Sequence, residues 1–372
     1  MPAMSEPLLR YRAGPRALQR VRREGLRPGD VRGVVGPASG PKWLVLPGID
    51  RALLDSGLLD PGLAGSGRIL LAGASAGAWR MLTFACRDPR RAHRRLLDGY
   101  VGQVFERGVS PATVSAAYRR LLEEVVDDPG AVLEHPLFDL GIHTARLRRG
   151  RSRRALVASL VATAAANLGT ARATGWFFER VFFHTAPERF APASGGGFDG
   201  RVVRLDRRNL LPAALATGTV PIYLERVVDP PGAPPGSYVD GGLTDYHLRQ
   251  DYFGDGDDRN DEAGGVVLFP HYTATIHPRW FDGRGPSRPP SPAALADVLQ
   301  IHPAPAFFAR LPDGQLPDRE DFKRFVDDPD ARIRRWRRVV AEAEALGAEL
   351  LADLESGRLA ERIEPLDPRG GT

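Results

Sequence analysis

Gly73-Ala74-Ser75-Ala76-Gly77 is a pentapeptide whose residue types and spacing could do covalent chemistry. A serine between small residues, with glycine two before and two after, fits a sharp strand-to-helix turn that pushes the hydroxyl out of the backbone. The apolar run Arg68 to Ala72 precedes it and AWRMLTFAC follows it, so the context is strand, turn, helix. A helix starting there aims its first amides at any negative charge that develops beside the serine. The Ala76 N–H is then a natural oxyanion donor. Taken alone, the same five residues also read as a Gly/Ala-rich turn capped by Ser75.

A second loop could serve the same reaction. Gly36-Pro37-Ala38-Ser39-Gly40-Pro41-Lys42 follows the β-branched run Val31 to Val35. It is not a phosphate loop, because Pro41 separates Gly40 from Lys42 and Trp43 follows where Ser or Thr is needed. Its small residues suit an oxyanion hole. The amides of Ser39 and Gly40 would be donors and Lys42 a nearby cation, while Pro41 has no N–H to give.

A serine hydroxyl is a poor nucleophile until a base takes its proton. The chain has eight histidines, at 93, 135, 143, 184, 247, 271, 277 and 302. None sits in a recognisable histidine loop, although His302 comes closest to the usual Ser–Asp–His order. The sharper signal is Tyr238-Val239-Asp240-Gly241-Gly242, an aspartate ending a short strand with two glycines that permit close backbone approach. Burial beside a hydroxyl would raise its pKa toward that of a useful base. Asp-Gly is also a common turn dipeptide.

Together the three motifs resemble the patatin-like phospholipase family. Its glycine-rich oxyanion loop ends in a basic residue, and it is followed by G-x-S-x-G and D-G-G. Aligned on the helix after the loop (ALLDSGL), Gly40 falls on the family's third loop glycine and Lys42 on its arginine. Ser75 falls on the catalytic serine, flanked by the motif glycines Gly73 and Gly77. Asp240 falls on the catalytic aspartate, followed by Gly241 and Gly242. The stretch Leu210 to Pro221 also looks like the family's segment before D-G-G. The likeness covers 31–86 and 205–270. It implies a Ser–Asp dyad with no catalytic histidine, no metal and no cofactor, acting on acyl esters of lipids. The loop departs from the family's G-G-G-x-R pattern, and lysine does not replace a bidentate arginine equivalently. Two rivals remain: an α/β-hydrolase esterase with a histidine base, and a catalytically silent lipid-binding protein on the same scaffold.

These motifs need elements to hold them. Helical spacing over 14–25, a strand at Val31 to Val35, a helix from Trp43 to Gly57, a strand at Arg68 to Ala72 and a helix from Ser75 to Cys86 give strand and helix in alternation. The stretch 90–190 reads as mainly helical, clearest at Arg91 to Glu106 and Pro111 to Val126, and could form a helical insertion or cap. Strand signals return at Arg201 to Leu205, Pro221 to Val228, Ser237 to Val239 and Gly265 to Phe269. The segment 329–360 reads as a charged amphipathic helix packed on the outside, within a helical C-terminal region, 291–372. The expectation is an α/β fold: a mainly parallel central sheet, helices on both faces, one domain over 1–372.

Composition narrows the partners. The 372 residues are 42% hydrophobic and 26% charged, as in ordinary globular proteins. The net charge of +5, from 51 basic against 46 acidic residues, allows contact with an anionic lipid surface. No basic run interleaved with aromatics points to nucleic acid. Cys86 is the only cysteine and lies in an apolar run, so it reads as a buried thiol. No signal-like apolar core starts the chain, and Ala155 to Gly169 is too short to span a membrane. The expectation is a soluble cytoplasmic protein, with oligomeric state unspecified. Gly195-x-Gly197-x-x-Gly200 precedes a strand rather than a helix, so it reads as a loop and not a dinucleotide site. The acidic run at 255–262 lacks an EF-hand's central glycine and closing glutamate.

Overall fold

The computed structural model describes residues 6–60, 67–170, 173–190, 200–247, 265–277, 279–281 and 292–367. The glycine run at 195–199 and the acidic run at 255–262 lie outside the described residues.

The strands are β1 (Leu9–Ala13), β2 (Val31–Gly36), β3 (Ile69–Ala74), β4 (Phe138–Leu147), β5 (Phe178–His184), β6 (Gly200–Arg204), β7 (Val227–Val228), β8 (Ser237–Asp240), β9 (Val266–Pro270), β10 (Val298–Pro303) and β11 (Ile363–Pro365). They form one sheet in the order β11-β1-β10-β9-β2-β3-β4-β5-β6, with β8 added on β4 and β7 on β8. The run β10-β9-β2-β3-β4 is parallel throughout. Antiparallel pairs lie outside it, at β1–β10, β4–β5, β4–β8 and β7–β8. The fold is α/β, with a mixed, mostly parallel sheet and helices around it. Parallel strands are covered on both faces, which is why β2 and β3 read as near-continuous apolar runs.

The helices up to the site are α1 (Pro15–Glu24), α2 (Pro47–Asp55), α3 (Ala76–Phe84), α4 (Pro89–Val101), α5 (Pro111–Val125), α6 (Pro129–Leu133), α7 (Arg153–Asn167), α8 (Ala173–Phe177) and α9 (Leu210–Thr217). Every residue of α3 is buried, so this helix runs through the core rather than over it. The long helix Pro329–Glu355 buries Trp336, Val339, Ala343, Leu346 and Leu350. Their spacing is one helical stripe, as expected of an amphipathic outer helix, and it packs against α2.

Four expectations need correction. The C-terminal region 291–372, expected to be helical, also supplies β10 and β11, edge-side strands of the sheet. The middle stretch is helical at α4, α5 and α7, but it also supplies β4 and β5. Asp139, His143 and Arg146 interrupt the apolar pattern of β4, which hides it from a periodicity reading. Pro221 to Val228 is not a strand. Only Val227 and Val228 pair, and the residues before them turn through Ile222 at φ 79°, a conformation that β-branched residues avoid. The helix expected from Trp43 to Gly57 is a 3₁₀ turn, Gly40–Val45, followed by α2, because Pro47 restarts the helix.

Candidate active site

Strand β4 brings the two motifs together. Its first half pairs with β3, ending at Ala74 opposite His143. The next residues pair with β8, starting at Asp240 opposite Thr144. The ends of β3 and β8 therefore meet head-on along one side of β4. Ser75 follows Ala74, and its Oγ donates to Asp240 Oδ2 at 2.8 Å.

Ser75 sits at φ 54° and ψ −135°, outside the regions a side-chain-bearing residue prefers. The strain is held by specific contacts. The Ser75 amide donates to Thr217 Oγ1 at 2.8 Å, and the Thr217 hydroxyl donates in turn to the His143 carbonyl of β4. Close packing explains two motif glycines. A Cβ on Gly77 would lie 2.1 Å from the Gly36 carbonyl oxygen, and one on Gly241 would lie 2.2 Å from the His143 carbonyl oxygen. Both are impossible contacts, so the first turn of α3 can touch β2, and the turn after β8 can touch β4, only without side chains.

Asp240 is almost fully buried. Its Oδ1 accepts from the Gly242 amide at 2.8 Å, and its own amide donates to the Thr219 carbonyl at 2.9 Å. The segment 217–219 thus holds both motif residues, one through a side chain and one through a carbonyl. Burial pushes the Asp240 carboxyl above its ordinary value. The charge of Arg319 and the hydrogen bonds from Gly242 and Ser75 pull the other way without cancelling this. A carboxylate so placed is a stronger base than a solvated one.

The amides of Ser39, Gly40 and Ala76 have no acceptor among the described residues. Gly40 is at φ 53°, and Gly40, Ser75 and Ala76 all line one cavity of about 460 Å³. Its walls are largely apolar: Trp79, Phe105, Val114, Tyr118, Val220, Leu224 and Phe322. Ser39 and Lys42 are not among the lining residues. The Lys42 ammonium stands over the Tyr272 ring, 5.4 Å from its centroid, and burial lowers its pKa. The cation that does reach the cavity beside the loop is Arg319. Its Nε lies 3.1 Å from where a Cβ on Gly40 would be, and its guanidinium rests over Trp280. The segment LPDREDF around Arg319 carries no motif, so nothing in the sequence marks it. Thr217 and Thr219 lie in the stretch the family likeness had singled out, but their positioning contacts need the fold to be seen.

None of the eight histidines lines the cavity. His143 is buried, with both ring nitrogens unpartnered, and burial lowers its pKa to about 3. His302 pairs its Nδ1 with the Pro303 carbonyl. Cys86 is buried as expected, and burial pushes its thiol up to about 12. Among the described residues no cluster of His, Cys, Asp or Glu could hold a metal ion, and no helix is long and apolar enough to cross a membrane.

No protein-family model and no curated protein matches the chain. Among solved structures it is similar to human GIVD cytosolic phospholipase A2, at 12% identity and a TM-score of 0.35. The likeness covers 93% of this chain and 63% of that one, so the chain spans less than two thirds of that protein's length.

Proposed function

We propose that this protein is a serine acyl hydrolase that cleaves carboxylic ester bonds of lipids through a Ser–Asp pair. The observation that carries this reading is the 2.8 Å hydrogen bond from Ser75, on the wall of a largely apolar cavity, to the buried Asp240 carboxylate. In the first step Asp240 takes the Ser75 proton as Oγ bonds to the ester carbonyl carbon. The resulting oxyanion is held by the free amides of Gly40 and Ala76, with Ser39 a further donor. As the tetrahedral intermediate collapses, Asp240 returns the proton to the leaving alkoxide, and the acyl group stays on Ser75. Water then attacks the acyl-enzyme and gives its proton to Asp240. Loss of the carboxylic acid restores Ser75 with that proton.

Arg319 takes the cationic role that the loop position of Lys42 had suggested, because it borders both Gly40 and the cavity. The apolar walls suit an acyl chain. Phospholipids are the substrate class implied by the resemblance to patatin-like phospholipases, as is the Ser–Asp pair without histidine.

The test is labelling with a fluorophosphonate probe, followed by location of the adduct. Modification at Ser75, abolished in Ser75→Ala, supports the reading. Intact protein that stays unlabelled defeats it and favours a lipid-binding protein without catalysis. An ester series of increasing chain length should show kcat/KM rising about fourfold per methylene until the cavity is filled.

A further inference from the structure

Helix α7 is apolar on both sides, packing Leu156, Ala155 and Leu160 into a hydrophobic cluster while leaving an apolar outer face. Its buried side carries Leu156 but also Thr163 and Asn167, and Thr163 is fully buried. Its outward side is Val157, Ala158, Val161, Ala164, Ala165 and, at the C-cap, Leu168. Val161 is 66% exposed and Leu168 72%, and Trp176 at the end of the next helix is 59% exposed. Four of the eight large apolar side chains exposed among the described residues fall between 157 and 176. A solvated helix carries polar groups on its outer face, so this face is made for something other than water.

Along the chain the charge is one-sided, although Asp229 from elsewhere pairs with Arg151. Between Asp139 and Glu179 there is no acidic residue and there are seven arginines. Arg149, Arg153 and Arg154, at the start of α7, are exposed and make no ion pair among the described residues. An apolar face with a tryptophan and a fringe of arginines matches the chemistry of an interfacial helix on anionic lipid. A second copy of the chain fits less well, because a two-fold contact would set the same arginines against one another. Nucleic acid would leave Val161, Leu168 and Trp176 with nothing to bury against. This surface is tied to the cavity wall: Arg226, just after the lining residues Val220 to Leu224, donates to the Arg151 carbonyl at 2.7 Å.

We propose that the outer face of α7, with Trp176 and the arginines at its start, docks the protein peripherally on anionic lipid bilayers. The experiment is co-sedimentation of Ser75→Ala protein with vesicles of phosphatidylcholine, with and without phosphatidylserine. Using Ser75→Ala removes turnover, so the outcome is independent of whether the protein hydrolyses lipid. The expected result is binding that needs phosphatidylserine and weakens as salt is raised. Each arginine near the surface contributes about fivefold, so the triple Gln replacement of Arg149, Arg153 and Arg154 should weaken partitioning by about 100-fold. Val161→Asp with Leu168→Asp should weaken it at every salt concentration. Equal binding to both vesicle types, or binding unchanged in both variants, overturns the proposal. So does a self-association, measured by sedimentation velocity, that these substitutions abolish while vesicles bind nothing.

Discussion

Two aspartates buried close to the same helix have opposite surroundings. Asp50, in α2, is fully buried and accepts from Arg80 Nε at 2.7 Å and Nη2 at 2.5 Å, with His93 Nε2 at 3.1 Å. Burial works to raise its carboxyl, but the Arg80 charge and the hydrogen bonds from Arg80 and His93 outweigh it and hold it at about 2. Asp240 is buried too, yet among the described residues its hydrogen bonds come only from one hydroxyl and one amide, and burial raises its pKa. Asp245, five residues on, follows the Asp50 pattern, with burial overcome by Arg180. A buried carboxylate given a guanidinium is a strut. One given only a hydroxyl keeps its appetite for a proton. The strut at Asp50 clamps Arg80 of α3, the helix whose first residue, Ala76, lines the cavity, so it steadies the helix beside the Ser75–Asp240 pair.

The contrast breaks most sharply at the Ser75–Asp240 pair. Asp240→Asn keeps the shape and removes the base, so kcat for ester cleavage should fall by roughly 10²–10⁴ with thermal stability held or raised. A full-rate Asp240→Asn enzyme would refute Asp240 as base. At the strut the outcome inverts. Asp50→Ala leaves Arg80 charged and buried, so urea unfolding should show a loss of about 3–5 kcal/mol, while the folded fraction still labels at Ser75.

Arg319→Gln addresses the intermediate case, a cation near Asp240 but not bonded to it. Losing that charge from the oxyanion should cost about 10²-fold in kcat. It should also move the acid limb of kcat/KM upward, since the Arg319 charge lowers the Asp240 pKa. A drop in rate with no movement of the limb would mean that Arg319 is structural.

The smallest effects are read from pH alone. As the proposed base Asp240 must be ionised, and burial raises its pKa, so activity should fall on acidification before an ordinary aspartate titrates. Asp50 behaves in the opposite sense. Its folded pKa is below its unfolded one, so its contribution is present above about pH 4 and lost as pH falls toward 2. That contribution is about 2 kcal/mol, and the acid slope of stability should flatten by this amount in Asp50→Asn.

The chain's order of residues was enough to single out Ser75, Asp240 and their glycines, because a strand-end turn with no room for side chains leaves a pattern that only small residues satisfy. It was also enough for β2, β3, α3 and the long C-terminal helix, whose burial is uniform or periodic and so is written in the spacing. It could not reveal β4, whose Asp139, His143 and Arg146 find partners or shelter only in the folded sheet. Yet β4 is the strand that sets β3 and β8 end to end and so joins the pair. Nor could it mark Arg319, the contacts of Thr217 or the outward apolar face of α7. Those are facts about which surfaces meet, and long-range contacts carry no local periodicity to read.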